Sequence, residues 1–221
     1  MPTSPASPAS PGLSVLGLAP VLPVAVIADA ADAVPLARAL VAGGLPAVEV
    51  TLRTPAALDA IRAIAEGVPE AMVGAGTVTS GQRALDAVAA GARFLVSPGC
   101  TEGLLAAMRG AGVPFLPGVG TASEVLALLE RGVTEMKFFP ARAAGGPSYL
   151  RALAGPLPQA RFCPTGGIGG PDSAREYLAL PNVACVGGSW MLPADALAAR
   201  DWARVETLAQ EAAALSETDA P

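Results

Sequence analysis

A single lysine, Lys137, stands in an apolar segment of the chain, EMKFFPA. The chain has 14 basic residues, and all the others are arginines. A lysine left behind by compositional bias alone should lie on a solvated face, because unpaired lysine is rarely fully buried. Lysine, unlike arginine, can lose its proton and act as an amine nucleophile. The position therefore predicts a chemical role for Lys137, with chance survival as the alternative.

A second group of ionisable residues lies in the segment VEVTLR, which begins at Val48. Side chains in a strand alternate between its two faces. Val48 and Val50 should therefore share one face, and Glu49 and Arg53 the other. The same alternation in EMKFFPA separates Lys137 from its apolar neighbours. Both segments thus place ionisable side chains on the face opposite to the apolar one.

The chemistry open to these three residues is that of a Schiff base. In an apolar interior and near an arginine, desolvation and like charge both disfavour the ammonium form of Lys137. The free amine can attack a ketone, and the resulting iminium acts as an electron sink. Glu49 can move protons during carbinolamine formation and C–C cleavage, and Arg53 suits a bidentate grip on a substrate carboxylate. The alternative for Glu49 and Arg53 is an interior ion pair that only satisfies polar groups.

These residues must be positioned by a repeating pattern of strands and helices. Short runs rich in Val, Ile, Phe or Met end in Gly, Pro, Thr or Ser, and Ala/Leu-rich stretches with helical periodicity follow them. Eight such runs begin 21 to 27 residues apart. Their predicted first residues are Val21, Val48, Met72, Phe94, Phe115, Met136, Arg161 and Ala184.

Eight strand–helix units favour an α/β fold of the compact single-domain (β/α)8 TIM barrel type. The alternative is an open doubly wound sheet, but the segment VIADAADAV lacks the Gly-x-Gly that dinucleotide-binding sheets carry after their first strand. In a barrel, Glu49, Arg53 and Lys137 should point into the interior. Chemistry in these barrels is built at the carboxyl ends of the strands, where Arg53 lies, with Glu49 and Lys137 deeper.

Two glycine-rich loops follow the last two predicted strands, PTGGIGG from Pro164 and GGSW from Gly187. Barrels of this fold often bind phosphate there through backbone N–H groups. Ordinary tight turns are the alternative for either loop alone. The two loops together predict a phosphate site.

Composition narrows the classes of partner. The chain has 221 residues, a formal net charge of −5 and a pI of about 4.8, which argues against a nucleic-acid surface and favours a small-molecule partner. The Pro/Ser/Ala-rich start has no basic region and no long apolar segment, so neither a signal peptide nor a membrane anchor is predicted. Histidine is absent, which excludes His-based metal sites and Ser-His or Cys-His nucleophile pairs.

Cysteine usage and chain ends complete the predicted organisation. Three widely spaced cysteines make neither a disulfide framework nor a zinc site, and they predict a cytoplasmic protein with reduced thiols. We expect a flexible tail over residues 1–15, the barrel over residues 16–216 and a flexible C-terminus over residues 217–221.

Several segments, in the same order, resemble the class I aldolases that act on 2-keto-3-deoxy-6-phosphogluconate (KDPG) and 4-hydroxy-2-oxoglutarate (KHG). The resemblance runs from about Leu18 to about Ala213. It rests on the segments PVLPVAVI, ALVAGGLPAVEVTLRTPAALDAIRAIA, VGAGTV, VSPGCTEGLL, LPGV with the following SE, EMKFFPA, RFCPTGGI and VGGSWMLPADAL. The family fold is a (β/α)8 barrel and its usual assembly a trimer, so the resemblance implies a barrel and a homotrimer.

The resemblance also assigns roles to residues at matching positions. It implies that Lys137 forms the Schiff base with the C2 ketone and that Glu49 is the general acid/base. The implied substrate contacts are Arg53 and Thr77 at the pyruvate carboxylate, Pro98 and Phe139 as walls of the pyruvyl end, Thr165 at the hydroxyl-bearing carbons, and Gly166, Gly167, Gly188 and Ser189 at the phosphate. The implied reaction is the reversible cleavage of KDPG to pyruvate and D-glyceraldehyde 3-phosphate, with no metal or organic cofactor.

Two features depart from the family pattern: the Pro/Ser-rich start, and Arg142, which stands where relatives more often carry an acidic residue. Arg142 lies just past EMKFFPA, near the expected barrel mouth, where it would strengthen attraction for an anionic substrate. Three alternatives remain open. They are the same chemistry with KHG or the galactonate epimer preferred, a phosphosugar isomerase or epimerase barrel without an imine, and a non-catalytic phosphosugar-binding protein.

Overall fold

The computed structural model describes residues 14–216, in which strands and helices alternate along the chain. The strands in this range are β1 (Val21–Ala25), β2 (Ala47–Thr51), β3 (Met72–Gly76), β4 (Leu95–Val96), β5 (Phe115–Leu116), β6 (Gly118–Val119), β7 (Glu135–Phe138), β8 (Arg161–Pro164) and β9 (Val186–Gly188). Their pairings are all parallel. Each of the predicted strand starts lies within two residues of an observed start.

Helices follow the strands, and several of them begin at polar caps. They are α1 (Ala33–Ala42), α2 (Ala57–Gly67), α3 (Gly81–Ala89), α4 (Glu102–Gly110), α5 (Ala122–Leu129), α6 (Gly146–Ala154), α7 (Pro171–Leu178), α8 (Ala194–Ala199) and α9 (Trp202–Ala213). The side chains of Ser80, Thr101 and Thr121 each accept a backbone N–H in the first turn of α3, α4 and α5. At α5, Glu124 completes a capping box, and the N–H of Gly120 that donates to its carboxylate holds the pKa of Glu124 below its ordinary value.

The strands form two sheets that join into a closed barrel. One has the order β5-β4-β3-β2-β1-β9, and the other β6-β7-β8. The predicted fifth strand is divided into β5 and β6 at Pro117, since proline has no N–H for the ladder. The divided strand joins the sheets on one side. On the other side β8 meets β9 through the bridges Phe162–Val183 and Thr165–Gly187. The (β/α)8 prediction is confirmed.

The predicted alternation of strand side chains is confirmed for β2 and β7. Val48, Val50, Met136 and Phe138 are fully buried in the main apolar core, which strands and helices share. The intervening residues of the same strands face the barrel interior. Burial of the apolar face against the helices therefore turns the charged residues inward, because a one-residue shift of register would exchange the two faces.

A second apolar cluster, called the apolar plug below, fills the interior toward the amino ends of the strands. Its members are Val15, Leu16, Leu22, Ala47, Met72, Phe94, Val96, Leu116, Cys163 and Cys185. A hydrogen bond with the Cys163 thiol, together with burial, raises the pKa of the Cys185 thiol well above its ordinary value. The Cys185 thiol thus stays protonated, as its apolar surroundings require, and all three cysteines of the chain are free thiols.

The described residues begin within the predicted N-terminal tail. Val15 is buried and starts a short 3-10 helix (Val15–Gly17) below the barrel, and the hydroxyl of Ser14 donates to Glu135 at 2.7 Å. The rest of the predicted tail over residues 1–15 and the predicted flexible C-terminus over residues 217–221 lie outside the described residues. In the described part of the chain, every helix is too short or too polar to cross a membrane.

Candidate active site

Glu49 and Lys137 form a buried ion pair inside the barrel. Nζ of Lys137 donates to the two carboxylate oxygens of Glu49 at 3.1 and 3.4 Å. The exposed fraction of the side chain is 5% for Lys137 and 1% for Glu49. A buried charge requires a partner, so each residue of the pair holds the other in place. Lys137 therefore does not lie on the solvated face that chance survival would predict.

Gly76, at the carboxyl end of β3, provides the space for the Glu49 carboxylate. A Cβ on Gly76 would lie 2.1 Å from Oε1 of Glu49. Two residues earlier, a Cβ on Gly74 would lie 2.3 Å from the ring of Phe94. β3 thus leaves room for the carboxylate above and for the apolar plug below. Sequence reasoning missed this role of Gly76, although glycine at alternate positions of VGAGTV is the signal of close approach in a strand.

The charge beside Lys137 differs from the prediction. The sequence suggested a neighbouring arginine, but the charged partner of Lys137 is the Glu49 carboxylate. Arg53 follows the end of β2 and lies exposed at the barrel mouth, where its Nε donates to Oγ1 of Thr77 at 3.1 Å. The prediction that Arg53 points into the interior was wrong, because the strand ends before it. The alternative interior pair of Glu49 with Arg53 is wrong as well.

Thr77, directly after β3, is held in an uncommon backbone conformation. Its φ is +59°, a left-handed value that is an outlier for a β-branched residue. Such conformations concentrate at functional sites, where surrounding contacts hold them. Here the contact is the hydrogen bond from Arg53. The structure therefore brings together the two residues that the family pattern assigns to a carboxylate.

Phe139 lies beside the lysine on the same segment of chain, and Pro98 packs against the neighbouring strand β6. Nζ of Lys137 lies 5.4 Å from the centre of the Phe139 ring, within the range of a cation–π contact. Gly118 is the register partner of Lys137 in β6, and a Cβ on Gly118 would lie 2.3 Å from the carbonyl carbon of Pro98. Both Phe139 and Pro98 are half-buried. Phe139 therefore contacts the lysine directly, whereas Pro98 lies against the residue that pairs with it.

Thr165 lies just past β8 and links it to β9. Its N–H donates to the carbonyl of Phe138 at 2.9 Å, and it forms an isolated bridge with Gly187. A Cβ on Gly187 would lie 2.2 Å from the Thr165 hydroxyl oxygen. Thr165 is 7% exposed, so its hydroxyl lies inside the barrel rather than on the surface.

The two glycine-rich loops lie side by side, because they extend from the Thr165–Gly187 bridge. Gly166 and Gly167 have φ values of +100° and +81°, which glycine adopts without steric cost. Within residues 14–216, their N–H groups have no acceptor in the chain. In the neighbouring loop, Gly188 is buried and Ser189 is exposed. This arrangement presents backbone donors at the mouth.

Comparison with known proteins identifies relatives over most of the chain. Residues 13–208 match the family described as KDPG and KHG aldolase. The KHG/KDPG aldolase of Escherichia coli strain K12 is 56% identical over 180 residues, which cover 81% of this chain and 84% of the relative. The 2-dehydro-3-deoxy-phosphogluconate aldolase of Dickeya dadantii is 54% identical over 182 residues, 82% of this chain and 85% of the relative.

Solved structures agree with these matches. The crystal structure of KDPG aldolase from Legionella pneumophila, with pyruvate captured at low pH as a covalent carbinolamine intermediate, has a TM-score of 0.87 and 47% identity, covering 90% of this chain and 96% of that chain. The KDPG aldolase of Zymomonas mobilis ZM4 with 3-phosphoglycerate has a TM-score of 0.86 and 50% identity, covering 91% and 94%. This chain therefore belongs to the KDPG and KHG aldolase family.

Proposed function

We propose that this protein is a class I aldolase that cleaves KDPG reversibly into pyruvate and D-glyceraldehyde 3-phosphate. The contact between Lys137 and Glu49 carries the proposal, since it joins a potential nucleophile to a proton carrier in a buried site. Schiff-base chemistry needs both, and a surface lysine provides neither burial nor a fixed partner. The iminium itself serves as the electron sink, so the proposed steps use no metal or organic cofactor.

Imine formation begins with proton transfer within the ion pair. The Lys137 ammonium gives a proton to the Glu49 carboxylate, 3.1 Å away, when the ketone enters the site beside the ion pair. The neutral amine attacks C2 of the substrate, and the Glu49 carboxylic acid protonates the ketone oxygen to give the carbinolamine. Glu49, again ionised, accepts the nitrogen proton and returns it to the hydroxyl, which leaves as water and yields the iminium.

Cleavage then uses the same two residues. Removal of the C4 hydroxyl proton by the Glu49 carboxylate lets the C3–C4 bond break, and its electron pair passes into the iminium to form an enamine. The aldehyde leaves, Glu49 returns the proton to C3, and water hydrolyses the pyruvate iminium to regenerate the Lys137 amine. One buried carboxylate beside the lysine is enough for every proton transfer in this sequence.

The remaining site residues are proposed to hold the substrate along the barrel mouth. Arg53 and Thr77 would bind the C1 carboxylate, with Phe139 and Pro98 packed against the pyruvyl end. Thr165, inside the barrel, would contact the hydroxyl-bearing carbons. The loops with Gly166, Gly167, Gly188 and Ser189 would bind the phosphate, and the free N–H groups of the first loop support this assignment.

Lys137→Arg tests the proposal, because arginine keeps the charge and cannot form an imine. We expect kcat/KM for KDPG cleavage, measured by coupled detection of pyruvate, to fall at least about 10⁴-fold while the variant remains folded by circular dichroism. Retained activity in this variant would instead support the isomerase or epimerase alternative.

Substrate choice is tested by comparing the wild-type rates on KDPG, KHG and the galactonate epimer of KDPG. We expect KDPG to react fastest, since the paired loops beside Thr165 suit a phosphate that KHG lacks. A faster reaction with KHG would assign the enzyme to the unphosphorylated substrate. Binding of KDPG with no product from any of the three would support a binding protein.

We further propose that the protein is a cytoplasmic homotrimer, as the family resemblance implies. Analytical ultracentrifugation tests the assembly, with three times the 21.8 kDa chain mass expected. Fractionation of the cells that produce the protein tests the compartment.

A further inference from the structure

Arg142 stands over the first glycine-rich loop. Beyond the strands, the ladder between the chain after β7 and the chain after β8 continues, with the N–H of Ala141 donating to Thr165 at 2.8 Å and that of Arg142 to Gly166 at 3.0 Å. A Cβ on Gly167 would lie 2.5 Å from Cβ and 3.1 Å from Cδ of Arg142. The aliphatic stem of Arg142 therefore packs on Gly167, where no other residue type would leave space for it.

Within residues 14–216, seven salt bridges occur, and none of them involves the guanidinium of Arg142. Arg142 is exposed, and its stem lies on Gly167, so its charged end is carried at the surface by the first glycine-rich loop. The backbone below it offers the acceptor-free N–H groups of Gly166 and Gly167. A cation and two free backbone donors at one spot are complementary to an oxyanion.

The starts of α5 and α7 differ in what caps them. At α5, Glu124 occupies the position of an anion and accepts from Gly120, Thr121 and the Thr121 hydroxyl. At α7, the residue before the helix is Gly170, which has no side chain to cap it. The start of α5 is thus occupied by its own carboxylate, whereas no side chain caps the start of α7, whose first-turn Asp172 pairs instead with Arg175.

We propose that Arg142 is a specificity-determining residue that binds the distal phosphate of the substrate from above the Gly166–Gly167 loop. The inference rests on the proposed aldolase function and assigns to one side chain the preference for phosphorylated over unphosphorylated aldehyde. Arg142 lies two residues past Pro140 on the segment that carries Lys137, so one continuous segment would hold both the imine and the phosphate contact.

The test compares condensation of pyruvate with D-glyceraldehyde 3-phosphate and with unphosphorylated D-glyceraldehyde. In Arg142→Gln, we expect kcat/KM to fall about 10- to 100-fold for the phosphorylated aldehyde, the range of one charge-assisted hydrogen bond, and to stay unchanged for the unphosphorylated one. Arg142→Lys should recover part of the loss. Arg151→Gln, an exposed arginine on α6, removes the same charge and should change neither rate.

Two results would overturn the role of Arg142: equal losses for both aldehydes, or no loss for either. Titration calorimetry with 3-phosphoglycerate gives a readout that needs no catalysis, and we expect about 10-fold weaker binding in Arg142→Gln and none of that loss in Arg151→Gln. If the wild type lacked aldolase activity while this difference in binding persisted, the proposed function would fail and the anion contact would stand. Equal binding by the wild type and Arg142→Gln would remove the contact itself.

Discussion

The two halves of the barrel interior are filled in opposite ways. Toward the amino ends of the strands, the apolar plug buries hydrocarbon side chains and two cysteines, and none of its members is an acidic or basic residue. Toward the carboxyl ends, the side chains of Glu49 and Lys137 are as deeply buried, and the contact between them satisfies both polar groups. Burial alone therefore does not distinguish the structural core from the reactive site. The plug stabilises the fold, whereas the ion pair holds a reactive group in the same closed space.

Removing the Glu49 carboxylate should lower catalysis more than a change in the plug or at the rim of the barrel. We expect Glu49→Gln to lower kcat about 10²- to 10⁴-fold, because the amide keeps the shape but cannot carry protons for the lysine. The matched control is Glu135→Gln, which changes a carboxyl at the other end of the same strand as Lys137 and should leave kcat unchanged. Steady-state kinetics of both variants provide the measurement. Equal losses of kcat in the two variants would contradict the contrast between the two halves of the barrel interior.

Truncation within the plug should show the opposite effect. Leu22 is 3% exposed, and Leu22→Ala should lower the free energy of unfolding by about 2–5 kcal/mol through lost burial and the cavity that remains. The kcat of the folded variant should be that of the wild type. Urea unfolding and kinetics measured on one preparation check both parts. A large fall in kcat with unchanged stability would mean that the plug takes part in catalysis.

A smaller effect is expected at the rim. Thr77→Val removes the hydroxyl that accepts from Arg53, so we expect the KM for pyruvate in the condensation direction to rise about 5- to 10-fold with little change in kcat. Thr77→Ser keeps the hydroxyl and should retain most of the affinity. An unchanged KM in the valine variant would show that the contact between Thr77 and Arg53 does not position the carboxylate.

The sequence predicted the parts of this arrangement that follow from periodicity. Alternation in VEVTLR and EMKFFPA placed Glu49 and Lys137 inside, and the spacing of apolar runs gave the barrel, because both depend on local pattern. The division of the fifth strand at Pro117 was missed, although proline in a strand is a local signal.

What the sequence did not predict depends on contacts between distant segments. Glu49 meets Lys137 across 88 residues of chain, and the carboxylate fits only because Gly76 lies on the next strand. Arg53 was expected beside the lysine, but the end of β2 and the hydroxyl of Thr77 set its position at the rim. Contacts among three distant segments leave no periodic pattern in the sequence. They become apparent only when the barrel is closed.

Trapping of the imine tests the central claim most directly. The folded protein is incubated with pyruvate and borohydride, and the modified peptide is located by mass mapping. Because Lys137 is the one lysine of the chain, the amino terminus is the only other amine that must be distinguished. We expect a reduced pyruvate adduct on the peptide that contains Lys137. Folded protein in which this peptide remains unmodified would contradict the Schiff-base mechanism.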